Sequence, residues 1–135
     1  MRTTISVILA AVMATVVLLP GCISFRRNNN DKTIVELVEH MKSCGLRVDS
    51  AAPALFDAIM AQDGVSVKID GQDIQLFKYD TKIKRQKEKL DKIYESGTIT
   101  ILGIDFYAKT NGSFIMLNYK GHPDEEKLLE FFSSF

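Results

Sequence analysis

Three periods of hydrophobicity run along this chain. Ile5 to Leu19 carries no charge, Ile34 to Met41 places apolar residues three or four apart, and from Val65 they recur at every second position. The middle pattern predicts a helix over 31–44. Ile34, Leu37, Val38 and Met41 form one stripe, Thr33-x-x-Glu36 has the form of a capping box, and Gly45 suits a left-handed exit. A second helix is expected over 52–62, capped by Ser50, with Pro53 in its first turn, Gly64 beyond its end, and Leu55, Phe56, Ile59 and Met60 on its buried side.

The alternation that follows reads as strands. Asp70-Gly71 supplies a two-residue turn, which sets Val67 opposite Ile74, Val65 opposite Leu76, Lys68 opposite Asp73 and Ser66 opposite Gln75. A helix over 81–95 follows, with Ile83, Leu90, Ile93 and Tyr94 on one side. Its six Lys/Arg and three Asp/Glu read as a solvated face. Residues 98–110 form a strand bent at Gly103, and Asn111-Gly112 turns the chain so that Ala108 meets Ile115 and Phe106 meets Leu117. Pro123 and the acidic run from Asp124 open a last helix, with Leu128, Phe131, Phe132 and Phe135 facing inward.

The order is α-α-β-β-α-β-β-α, with a weak ββα duplication over 65–96 and 98–135. Each hairpin has one apolar face that needs a helical cover, so the expected fold is α+β. It is a two-layer sandwich with a mainly antiparallel sheet of about four strands.

Composition narrows the function classes. Lys+Arg and Asp+Glu number 17 each, so the basic excess that a nucleic-acid binder uses on phosphates is missing. Two cysteines are too few for a disulfide scaffold or, by themselves, a zinc site.

The charge-free run at the start is too short to span a bilayer: fifteen helical residues cover ~22 Å of a ~30 Å hydrocarbon core. With Arg2 before it, the run reads as a secretory signal. Its end, Leu19-Pro20-Gly21-Cys22, resembles the lipobox of bacterial lipoproteins. The resemblance implies diacylglycerol on the Cys22 thiol, cleavage just before Cys22, and an acylated anchor on the extracytoplasmic side of the cell membrane or the outer membrane. Ile23 follows the cysteine where aspartate would signal retention in the inner membrane. The chain thus divides into a signal peptide (1–21), a lipidated polar tether (22–30) in which Arg26-Arg27 lie near the headgroups, and a single α+β domain (31–135).

Candidate chemistry in the domain is sparse. Cys44 lies four residues after His40, one helical turn away, but at the border of the apolar stripe it reads as a half-buried core residue. His122 precedes Pro123 and reads as a turn or capping residue. The sequence holds no phosphate loop, nucleophile elbow or His-Glu-x-x-His, and suggests no cofactor and no metal site. Phe77, Tyr79, Tyr107, Phe114 and Met116 are expected on an open sheet face, a candidate surface for an envelope protein partner. The expectation is a non-catalytic, lipid-anchored envelope protein that binds a macromolecule. Its alternatives are a small enzyme or thiol protein using Cys44 and His40, and a small-ligand carrier with a pocket between helices and sheet.

Overall fold

A computed structural model describes residues 28–135; the expected signal segment, the expected lipidation site Cys22 and the expected tether through Arg27 lie outside them. The elements are α1 (Ile34–Ser43), β1 (Ser50–Pro53), a 3-10 turn (Phe56–Ile59), β2 (Asp63–Ile69), β3 (Gln72–Lys78), α2 (Lys84–Ser96), β4 (Thr98–Ile101), β5 (Ile104–Asn111), β6 (Phe114–Leu117) and α3 (Glu125–Ser133). The α+β class is as the sequence predicts, but the sheet has six strands, all antiparallel, in the order β1-β2-β3-β6-β5-β4. After α1 the chain makes two units of the same order, a three-stranded meander and then a helix, joined edge to edge where β3 pairs with β6.

Helices cover both sides of this sheet, so the domain has three layers rather than two. On one side Val67, Ile74, Leu76, Phe114 and Met116 pack under α1 and α3 through Leu37, Met41, Leu128, Phe131 and Phe132. On the other, Phe77, Tyr79, Ala108, Ile115 and Leu117 pack with Leu90 and Ile93 of α2 and with Ile59 of the 3-10 turn. Because α2 and α3 lie on opposite faces, no rotation about an axis through the sheet relates the two units.

Local signals explain the ends of the elements. Thr33 and Glu36 form the capping box, each side chain bonded to the other's backbone N–H, and Gly45 takes φ +86 beyond the C-cap. The first hairpin has the register predicted from its pattern, pair for pair. Leu128, Phe131 and Phe132 of α3, and Phe135 just beyond its end, are buried as predicted.

Three expectations are corrected. The helix over 52–62 is replaced by β1 and the 3-10 turn, because residues 50–53 pair along the free edge of β2 and close that side of the sheet. Small Ser50, Ala51 and Ala52 suit an edge, and Pro53, which has no N–H to donate, ends it. The bend at Gly103 is a full reversal: Leu102 and Gly103 both take positive φ, the turn form that matches strand twist, and Ile101 pairs with Ile104. In the last hairpin the turn is Gly112-Ser113, so Ala108 faces Leu117 and not Ile115. The slip is two residues, and an even slip leaves every side chain on its expected face.

Gly64 marks a tight place in the second core. A Cβ there would come within 2.5 Å of the Phe77 ring, which lies across the strand from it. Gly64→Ala is expected to destabilise the domain by about 1–3 kcal/mol through overpacking, read as a lower urea midpoint at unchanged slope.

Candidate functional site

The residues where the chain enters the domain are part of the fold. The Asn29 side chain is buried and closes the β5–β6 turn, accepting from the Ser113 N–H at 2.7 Å and donating to the Asn111 carbonyl at 3.1 Å. The Asn30 carboxamide accepts from the Thr81 N–H and the Ser113 hydroxyl and donates to Asp80, while the Asn30 backbone carbonyl accepts from Lys78 Nζ. Asn29 and Asn30 therefore belong to the domain rather than to the tether of 22–30. They fix the tether at one end of the sheet, beside the β5–β6 turn and the start of α2. Asp80, bonded by Asn30 and by the Lys82 N–H, is held below the usual carboxylate range, first by the Lys82 N–H and then by Asn30.

The five residues expected on an open face do not form one. Phe77, Tyr79, Phe114 and Met116 are buried, and they lie on opposite sides of the sheet. The cause is the β3–β6 register, which sets Phe77 against Ile115 and so puts Phe77 and Tyr79 on the Ile115 side, under α2. Phe114 and Met116 point the other way, under α1 and α3. Tyr79 donates its hydroxyl to the Ile59 carbonyl at 2.9 Å, and burial pushes its pKa up. Tyr107 alone remains accessible, 59% exposed, with Lys120 Nζ 5.2 Å from its ring centre.

Tyr107 stands on the bare part of the sheet. The α1–α3 layer covers β2, β3 and β6 but leaves the β4–β5 hairpin uncovered on that side. Register places Thr98, Thr100, Asp105 and Lys109 beside Tyr107 there, with Thr100 hydrogen-bonded to Asp105. Asp105, Tyr107, Asn118 and Lys120 line a shallow hollow of about 170 Å³. At the apex Leu102 is 97% exposed and Ile104 60%. β4 is an outer strand of the sheet, with the backbone of its outer side unpaired in the ladder. The sequence reading missed Leu102 and Ile104 because it placed them inside a continuous strand. Gly103 at the second place of a two-residue turn, after the β-branched run Thr98–Ile101 and before Ile104–Tyr107, was the available hairpin signal.

Cys44 is exposed rather than half-buried. Its Sγ lies 3.6 Å from His40 Nε2, which in turn lies 2.8 Å from the Ser134 hydroxyl at the end of α3. The His40 ring packs on Phe131 and Phe135, at centroid distances of 6.0 and 5.4 Å. His122 has the turn role expected of it. Its Nδ1 accepts from the Asp124 N–H, and its Nε2 donates to the Ile69 carbonyl, tying the β2–β3 turn to the start of α3. A hollow of about 180 Å³ lies where α2 meets the β5–β6 turn, lined by Thr81, Lys87, Leu90 and Gly112 among others. It is below the ~300–1,000 Å³ of sites that enclose a drug-sized ligand. Among the described residues no group of three or more His, Cys, Asp or Glu side chains could hold a metal ion. Among them, too, no helix is long and apolar enough to cross a membrane. Comparison with protein-family models, with curated proteins and with solved structures finds no match.

At the end of the sheet away from the tether, the Asp70 and Asp124 carboxyls meet. Their contact and mutual repulsion raise the Asp70 pKa above the usual carboxylate value. A carboxyl with a raised native pKa costs stability once ionised in the folded state, and that cost disappears as pH falls through the raised value. Asp70→Asn, which suits the φ of +51 at this position, is therefore expected to raise the thermal midpoint at neutral pH. The gain should shrink on acidification through the carboxylate range, and calorimetry across pH checks it.

Proposed function

We propose that this is a lipid-anchored bacterial cell-envelope protein, non-catalytic, that binds another macromolecule through its β4–β5 hairpin. The anchor rests on the charge-free leader and the Leu19-Pro20-Gly21-Cys22 lipobox, and the acyl groups on Cys22 hold the mature chain on the extracytoplasmic side of the membrane. The observation that carries the binding role is Leu102, Ile104 and Tyr107 standing exposed on an outer hairpin. The remaining large apolar side chains of the sheet go into the two cores, so Tyr107 on one side of the hairpin, Ile104 on the other and Leu102 at its tip are left for contacts outside the chain. The partner class that fits is an envelope protein offering an apolar surface or a strand to the β4 edge. Nucleic acid does not fit a chain whose charges balance.

Two measurements test this. Mass spectrometry of the protein from bacterial membranes is expected to show the chain beginning at an acylated Cys22; an unprocessed leader overturns the anchor. A photo-crosslinking residue at Thr100, exposed on the Tyr107 side of the β4 edge, is expected to give one adduct of discrete mass in the envelope. Leu102→Asp with Tyr107→Ser should abolish the adduct while moving stability by no more than about 0.5 kcal/mol, as for other exposed positions. An adduct unchanged in that variant removes the hairpin from the interface.

A second reading, a thiol protein, draws support from the exposed Cys44 sulfur beside the His40 imidazole. On that reading His40 assists ionisation of the thiol, and His40→Gln slows alkylation of Cys44 at neutral pH several-fold. Equal rates in the two proteins leave Cys44 an ordinary surface thiol.

A further inference from the structure

Charge is unevenly distributed between the two ends of this neutral domain. At the end where Asn29 and Asn30 fasten the chain, Lys82, Lys84 and Arg85 stand exposed around the first turn of α2. Lys82 borders the same hollow as Asn28, Asn30 and Asp31. That first turn has no acidic residue and no side-chain cap, so its free backbone N–H groups add to the positive field. Nearby, Asp80 keeps its negative charge while bonded by Asn30 and the Lys82 N–H, and Asp31 and Asp57 border the hollows lined by Lys82 and Arg85. Lys84 makes a solvent-exposed 3.8 Å pair with Glu88, so the three cations extend beyond the acids at this end rather than standing alone. The opposite end gathers Asp49, Asp70, Asp73, Asp124 and Glu125 around the β2–β3 turn and the start of α3. There Arg47 pairs with Asp49 at 3.6 Å and Lys68 lies across the strand from Asp73, while the Asp70 and Asp124 carboxyls face each other.

We propose that the α2 end of the domain, through Lys82, Lys84 and Arg85, rests on the anionic phospholipid headgroups of the bilayer that holds the chain. The proposal builds on the lipid-anchor reading. From Cys22 to Asn29 the chain can extend at most about 25 Å, so an acylated Cys22 keeps the α2 end within reach of the bilayer. Arg26 and Arg27 lie in that same stretch and add two charges of the same sign. The acidic end is repelled by the same surface, which selects one orientation. The β4–β5 apex lies at the other end of β5 from Asn111, so this orientation turns Leu102 and Ile104 away from the membrane.

The test is amide hydrogen exchange on the full acylated protein in two nanodiscs, one of neutral phosphatidylcholine and one rich in phosphatidylglycerol. Exchange over 82–86 is expected to slow about fivefold or more in the anionic disc only, to recover at high salt, and to show no slowing in the variant K82E/K84E/R85E. Exchange over 102–105 should be the same in both discs. Equal exchange over 82–86 in the two discs, or slowing at 102–105 instead, overturns the proposal. Should mass spectrometry find no acyl group on Cys22, the anchor reading fails separately, and flotation of the same protein with phosphatidylglycerol vesicles then decides the surface. Binding that falls about a hundredfold in the triple variant keeps it, and no binding removes it.

Discussion

The pairing of β3 with β6 is the contact on which the rest of the domain depends. It is the seam between two three-stranded meanders, and its register sets which side of the sheet each central side chain takes. With Phe77 against Ile115 and Leu76 against Met116, both faces of the seam are apolar, so both need a helical layer. A slip of one residue would carry Phe77 and Tyr79 to the α1–α3 side and Leu76 beneath α2, opening one core and overfilling the other. The exposed hairpin follows from the same seam. The α1–α3 layer sits over β2, β3 and β6, and β4 and β5 project past it.

The two asparagines at the start of the described chain fix its point of entry into the domain. Asn29 meets the backbone of the β5–β6 turn with both ends of its carboxamide, as Asn30 joins Thr81, Ser113 and Asp80. A buried carboxamide with its partners lost costs about 1–3 kcal/mol, so this attachment is hard to release. Its consequence is directional. The chain leaves at the end of the sheet where α2 begins, while the β2–β3 turn, where Asp70 and Asp124 meet, and the apolar hairpin apex lie at the other. A neutral total charge says nothing about how charge is distributed over the domain or how it meets a charged surface.

Legibility followed the range of the interactions. The capping box of α1, the Asp70-Gly71 hairpin and the buried stripe of α3 are set by residues a few positions apart, and each stood in the sequence as it stands in the fold. Residues 50–59 carry helix-like spacing, but a bare strand edge on β2 outweighed local preference. The candidate surface failed for a related reason. Alternation within each hairpin was read with the right parity, but parity between the hairpins is set by β3 meeting β6 some forty residues apart, roughly the length of a small supersecondary motif. Cys44 was misplaced because its burial depends on where α3 ends, with Ser134 and Phe135 beside His40, leaving the sulfur in solvent.

By itself the sequence determined the α+β class, the register of the β2–β3 hairpin, the antiparallel pairing of β5 with β6, and the balance of charge. Those are properties of neighbouring residues or of simple sums. Tertiary structure alone decided that the sheet has six strands and two covered faces, that Asn29 and Asn30 lock the chain's point of entry, and that Leu102, Ile104 and Tyr107 remain outside. Burial of a side chain is a statement about whatever else packs on it, and when that partner is another element far along the chain, no local period records it.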